Sequence, residues 1–330
     1  EVACSDNENL DLKNSLDHKI NFPSKIIDLF NLIKYFEVFS QINSLVKKNN
    51  SALFFTHTPI ASHLFRTFTL FKKLKIIYFV HGFRFTSNTN IVKGFFLKLI
   101  EKVLSINTSI FITINKEDYN YTKYNLIRNN SCYKLNGVGL DLTSKNKIEI
   151  TKKKIGKILV IAAYKKDKGY YEILKAAEIL KNQKIQIVCY GYGSFSKFNS
   201  LKVKNKLKNI TFRKFDPNLN KKIKRYDILL HLSKREGLPV SVMQCLLNGL
   251  PVICYNIRGN NDLIKNKFNG FFIDTYRDIP SIISYLNSEK IIFYQVKKNA
   301  QNSITKNFSK KKINIKIYKI FKKIVNDNKI

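Results

Sequence analysis

The stretch REGLPVSVMQCLLNGLPVICY, Arg235 to Tyr255, decides how the rest of the chain is read. It places one acid, Glu236, in a Gly-Pro loop, continues as a short apolar helix, and ends in a run typical of a buried strand. Loop, helix and strand in that order make one repeat of a parallel sheet with crossover helices. Pro239 favours a helix start, and the backbone amides after it lack intrahelical partners, so the turn offers donors to phosphate or hydroxyl oxygens. Glu236 at its lip reads either as a cap near the positive end of the helix or as a ligand contact. Gln244 stands eight residues further on, a polar residue within the apolar helix.

The same alternation runs along the chain. In the first half, ALFFTH, KIIYFVHG and SIFITIN read as strands, with PIASHLFRTFTLFKKL and VKGFFLKLIEKVLSI as amphipathic helices between them. A polar stretch around residues 141–156 breaks the pattern as a linker. The second half restarts with KILVIAAY, a helix in KGYYEILKAAEILKN, then IQIVCYGYG, NITFRKF, DILLHLS and PVICYNIRGN. The expected architecture is α/β with two similar units. Residues 1–142 form the first, 143–156 the linker, 157–310 the second, and 311–330 a basic helix crossing back to the first. The chain opens at Glu1, its only Met is Met243, and no glycine precedes Gly82, so the first unit is expected to lack its first strand, loop and helix.

At 330 residues with 44% hydrophobic content, the chain can supply two cores, which argues against disorder. Lys and Arg number 59 against 23 Asp and Glu, a net charge of +36, which fits an anionic partner such as nucleic acid, a phosphate-bearing substrate or an acidic membrane face. Abundant Lys, Asn, Ile, Phe and Tyr also match the drift of an AT-rich coding sequence. The five cysteines are scattered, without a C-x-x-C pair or a metal-ligand spacing, as in a reducing compartment. No apolar run reaches the roughly 20 residues of a membrane span, and the start lacks a signal-peptide pattern. The chain reads as soluble or peripheral, and the expected location is the cytoplasm, with or without contact to the inner face of the plasma membrane.

In open parallel sheets, ligands bind at the carboxyl ends of strands. His57, His81, Gly191, Gly193, Glu236 and Gly259 all follow strands, and in a two-domain chain they would gather in a cleft between facing sheets. The Gly-Tyr-Gly run lets backbone approach a ligand closely. His63 and His18 read as structural, and His231, inside DILLHLS, as packed or hydrogen-bonded. No Ser-His-Asp order, zinc motif or Walker loop occurs.

The segment SKREGLPVSVMQCLLNGLPVICYNIRGNNDLI resembles the carboxyl-terminal signature of the family 4 glycosyltransferases, retaining nucleotide-sugar enzymes of the GT-B fold with two Rossmann-like domains. FFTHTPIASHLFR, VHGFRF, FITINKEDY and LNGVGLDL resemble, in the same order, acceptor-domain segments of the branch that builds bacterial capsule, exopolysaccharide and lipopolysaccharide. The resemblance covers the chain from its start to about residue 275. It implies a hexosyltransferase acting on a nucleotide diphosphate donor, UDP-linked, and a growing lipid-linked glycan, with no metal cofactor. It also implies front-side transfer, in which the departing diphosphate oxygen takes the acceptor's proton.

By that resemblance Glu236 contacts the donor sugar, Gly237 and Leu238 supply backbone at the donor, Gln244 takes the position of a ribose-binding acid, and Gly191, Gly193 and Gly259 approach the nucleotide. Lys168 neutralises the leaving diphosphate, and His81 orients the sugar near its reacting carbon. His57 and Arg84 are the acceptor-side candidates. The chain departs from the pattern at three places: Gln244, Ala163 where an Arg is common, and Asn261 where another Arg is common. An amide in place of the acid loses a charge-assisted bond, about 1–2 kcal/mol or about tenfold in donor affinity. Lys165, Lys166 or Arg258 could replace the missing positive charge. These departures keep open a non-catalytic glycosyltransferase-like binding protein, and the fold keeps open a UDP-sugar epimerase.

The helix in VKGFFLKLIEKVLSI carries Phe95, Phe96, Leu99, Val103 and Leu104 on one side with Lys93, Lys98 and Lys102 nearby, a composition able either to lie on an anionic bilayer or to pack its apolar face on its own domain. KKINIKIYKIFKKIV, with Ile313, Ile317, Ile320 and Ile324, reads as packed on its own protein. Nucleic acid is disfavoured as partner: no helix-turn-helix, zinc finger or aromatic RNA-binding signature occurs, and the lysines spread over the whole sequence.

Overall fold

The computed structural model describes residues 3–4, 18–19, 32–49, 52–126, 131–142, 148–150 and 154–327. The chain divides into two compact units, Glu1–Lys134 and Leu135–Ile330.

In the first unit, the short strands β1 (Ala3–Cys4) and β2 (His18–Lys19) pair in parallel. Then follow α1 (Leu32–Lys48), β3 (Leu53–His57), α2 (Pro59–Phe68), β4 (Lys75–Val80), α3 (Ile91–Leu104), β5 (Ile110–Thr113), α4 (Lys116–Tyr121) and β6 (Ser131–Lys134). Strands β3 to β6 form a parallel sheet in chain order. β4 and β5 are buried along almost their whole length, as expected of strands covered on both faces. One face packs Phe54 and Ile76 against Val38, Ile42 and Val46 of α1 and Phe65 of α2. Further along that same face, since residues two apart in a strand point the same way, Tyr78, Val80 and Phe111 pack with Phe83, Phe85 and Leu126. The expected absence of a first strand, loop and helix falls mainly on residues outside those described.

α2 and α3 are joined by a buried ionic cluster. Arg66, fully buried, donates to Glu101 Oε2 at 2.9 Å and lies over the Tyr78 ring, while His63 Nε2 stands 2.6 Å from Glu101 Oε1. His63 is thus structural.

In the second unit come β7 (Lys157–Ile161), α5 (Tyr170–Leu180), β8 (Gln186–Gly191), α6 (Ser196–Lys204), β9 (Ile210–Lys214), α7 (Leu219–Lys222), β10 (Ile228–His231), α8 (Val240–Leu247), β11 (Val252–Tyr255), α9 (Asn260–Leu263), β12 (Gly270–Ile273), α10 (Ile279–Ser288), α11 (Lys290–Asn307) and α12 (Lys310–Asp327). The parallel sheet has the order β12-β11-β10-β7-β8-β9. The chain therefore starts in the middle at β7, builds outward through β8 and β9, then returns to β10 on the other side and builds to β12. The order reverses between β7 and β10, the point at which such sheets open a crevice at their carboxyl ends.

The unit boundary lies at Lys134 and Leu135, ahead of the sequence-based boundary at 142. Backbone bonding explains the difference: Leu140 N donates to Phe308 O at 2.8 Å and Lys310 N to Leu140 O at 2.9 Å, which ties this strap to the α11–α12 junction. Of the linker read over 143–156, the described residues 148–150 and 154–156 form neither helix nor strand. α12 groups with the second unit, burying Ile313 and Ile320 while Ile315 and Tyr318 stay exposed. The free thiols of Cys189, Cys245 and Cys254 are buried, which raises their pKa and suits the reading of small apolar side chains.

Replacing Glu101 with leucine leaves the Arg66 guanidinium buried without its counter-charge. A loss of about 3–5 kcal/mol in denaturant-measured stability is expected; a loss under about 1 kcal/mol would mean the cluster is not what holds α2 to α3.

Candidate active site

At the β7–β10 reversal two loops meet backbone to backbone. The loop after β7 ends in a single helical turn, Lys166–Lys168, followed by Gly169 at φ 76°. A side chain at Gly169 would run into the Leu232 carbonyl, so only glycine lets this loop lie against the one after β10. Lys234 N donates to Asp167 O at 2.9 Å and seals the contact. The result brings together two residues far apart in sequence: Lys168 Nζ lies 2.7 Å from Glu236 Oε1, with both side chains largely buried.

Two further groups fix Glu236. His231 Nε2 stands 3.4 Å from the same carboxylate oxygen. Buried Arg258 donates from Nε to the Glu236 backbone carbonyl at 2.9 Å. Burial by itself pushes the Glu236 carboxyl up; His231 and Lys168 outweigh it and hold the pKa at about 2. The acid is therefore ionised at neutral pH. Gly259, at φ 81°, lets the turn after β11 close against the Gly237 carbonyl, where any side chain would collide.

The remaining sequence candidates of this unit lie on the same rim. Gly191 ends β8, and a side chain there would strike the Ala162 carbonyl of the loop after β7. Gly193 follows at φ 91°. Leu238 turns its side chain into the core beside Gly137, leaving its backbone for any contact outward. α8 starts after Pro239 with no side-chain cap, so its first amides have no side-chain acceptor. Gln244 is half-buried one turn into that helix. Of the three groups proposed to replace a missing arginine, Lys165 and Lys166 are exposed, whereas Arg258 braces the Glu236 loop.

Two features of this rim went unread in the sequence. Ser233 Oγ, after β10, and Asn260 Oδ1, after β11, are buried without a hydrogen-bond partner, unusual for polar atoms outside a binding site. Tyr192 and Phe215, at the ends of β8 and β9, stack with centroids 4.0 Å apart and stay exposed. Tyr192 sits between two glycines, a signal that could have been weighed. His231, read as packed or hydrogen-bonded, is buried and contributes to the charge of Glu236.

In the first unit the parallel register sets His57 across from Phe79, at the carboxyl ends of β3 and β4. His81 follows two residues later, and His57 Nδ1 lies 3.0 Å from His81 Nε2. Phe79 flanks both rings. Partial burial first, then the neighbouring His81, lowers the His57 pKa to about 4, and burial lowers that of His81. With His57 neutral, one imidazole donates to the other. Arg84 is half-buried in the loop that follows.

Residues 143–302 match the family described as Glycosyl transferases group 1. The chain is a glycosyltransferase. It is 26% identical over 302 residues to the Escherichia coli UDP-Gal:alpha-D-GlcNAc-diphosphoundecaprenol alpha-1,3-galactosyltransferase, covering 84% of this chain and 77% of that one. It is 24% identical over 294 residues to an uncharacterized protein in the cps region of Klebsiella pneumoniae, covering 84% and 80%. Among solved structures, Anabaena HepE in complex with UDP-glucose superposes with a TM-score of 0.72 at 14% identity, covering 94% of this chain and 88% of that one. The glycosyltransferase thus has the GT-B fold, with two parallel-sheet α/β domains.

In this glycosyltransferase the histidine pair makes a direct expectation for titration. Replacing His81 with asparagine should raise the His57 pKa measured by NMR above about 4 while leaving it short of the ordinary 6.5, because burial is the larger cause. An unchanged His57 titration would show that the rings do not interact.

Proposed function

We propose that the chain transfers a hexose from a UDP-linked donor to a growing lipid-linked surface glycan, with retention of configuration, at the inner face of the plasma membrane. The observation that carries this reading is the Lys168–Glu236 pair at the strand-order reversal of the second sheet. An ammonium and a carboxylate held side by side match the two ends of an activated sugar: a diphosphate that needs positive charge and hydroxyls that need an ionised acceptor. In the bound state Lys168 turns to the diphosphate, Glu236 accepts from sugar hydroxyls, and the amides at the start of α8 donate to phosphate oxygens.

In the transfer itself the acceptor oxygen bonds to the anomeric carbon as the bond to the diphosphate breaks. The acceptor's proton passes to the departing diphosphate oxygen. The protein supplies position and fixed charge rather than a nucleophile. No metal is invoked, since Lys168 and the helix start provide the positive field. By the family resemblance, His81 is assigned to orienting the sugar and His57 and Arg84 to the acceptor. The galactosyltransferase activity of the E. coli relative and the UDP-glucose complex of the Anabaena neighbour support the choice of donor and acceptor class.

Calorimetry with UDP tests the donor assignment. Binding in the range of about micromolar to millimolar is expected. Gln244→Glu should tighten it about tenfold, by restoring a charge-assisted bond to the ribose diol, and Lys168→Ala should weaken it about ten- to a hundredfold. No UDP binding in both the wild type and Gln244→Glu would refute the assignment.

A further inference from the structure

The outward face of α3 runs against the rule for a surface helix. At about 100° per residue, Gly94, Leu97, Glu101 and Leu104 fall on one side, and these are the residues turned into the unit. The opposite side should be polar. Instead it carries Ile91, Val92, Phe95, Phe96, Leu99, Ile100 and Val103, every one exposed, with Phe95 at 62% and Phe96 at 58%. Leu104, read in the sequence as part of the apolar outer face, is buried at 3%. The stripe continues past the helix end through Ile106, which lines one pocket with exposed Phe71 and Lys73. Contiguous apolar surface on this scale marks an interaction site.

Charge selects the occupant. Exposed Lys93 borders the stripe on one side and exposed Lys102 on the other, while Lys98 extends over the Phe85 and Tyr121 rings. The single acid of the helix, Glu101, points inward and is taken up by Arg66 and His63. An apolar stripe between two cationic borders, with no outward acid, fits a helix lying in the plane of an anionic bilayer, lysines at the headgroups and phenylalanines below them. A second copy of this chain, with the same basic borders, would be repelled. Among the described residues no helix is long and apolar enough to cross a membrane, so any membrane contact of this helix is lateral.

We infer that α3, extended by Ile106 and Phe71, is the surface by which this protein seats on anionic lipid. The inference deepens the proposed function, naming what brings the enzyme to a lipid-linked acceptor, but its test uses neither transfer nor UDP binding. The chain contains no tryptophan, so Phe96→Trp introduces a single reporter. With full-length protein, vesicles containing phosphatidylglycerol should shift its emission to the blue, and high salt should reverse the shift, whereas phosphatidylcholine vesicles should leave it nearly unchanged. Co-sedimentation of the otherwise wild-type protein with phosphatidylglycerol vesicles should fall by about tenfold or more in the double variant Phe95→Ser with Leu99→Ser. Both sites are exposed, and an unchanged thermal unfolding midpoint will show that the variant folds. Unshifted emission, undiminished sedimentation of the double variant, or a wild-type dimer that the double variant abolishes would overturn the inference. The last result would assign the face to a second copy instead.

Discussion

The candidate donor site depends on one ion pair. Lys168 and Glu236 come from loops that close two neighbouring strands of the second sheet, and each is held in place by backbone packing as well as by the other. An ionised carboxylate at a largely buried position is costly unless paired, so the fold must supply cations wherever it keeps one. Here Lys168 and His231 face the carboxylate and Arg258 grips the backbone behind it. Removing any of the three changes the charge or the direction of the acid.

Sheet order makes this arrangement possible. Because the chain enters the sheet at its centre, the loops after β7 and β10 are neighbours although 68 residues separate the paired side chains. Two glycines make that proximity close: Gly169 admits the Leu232 carbonyl and Gly259 admits that of Gly237. The backbone thereby approaches itself where side chains would otherwise intervene, and the loops present charge rather than bulk at the rim. In the first unit a comparable economy sets His57 and His81 edge to edge with phenylalanine around them, neutral donors and acceptors rather than cations.

Much of this was legible in the sequence because it rests on short-range signals. Buried runs of branched residues mark β4, β5, β7, β8 and β10, and the residues that follow strands mark the rim. Glu236, Lys168 and His81 were all singled out on those grounds or by resemblance, and the structure places the first two in direct contact. What stayed hidden depends on distance in the chain. No local pattern shows that Arg258 binds the Glu236 carbonyl, that His231 lies against the carboxylate, or that Glu101 is used up by Arg66 and His63. β6 is short and partly polar, and β12, though apolar, is only four residues long and opens on a glycine, so alternation alone does not reveal them. The α3 face shows the limit most clearly: Phe95, Phe96, Leu99 and Val103 were read from the sequence, but Leu104 was grouped with them and Ile91, Val92 and Ile100 were not, and only the buried side chains of Glu101 and Leu104 reveal which way the helix is turned.

The most direct test of the central claim is amide hydrogen exchange of the full-length protein with and without UDP. Protection is expected to rise in the loops over residues 162–169 and 232–240, on either side of the Lys168–Glu236 pair, and at the start of α8. Protection that arises elsewhere while these loops stay unchanged would contradict the account.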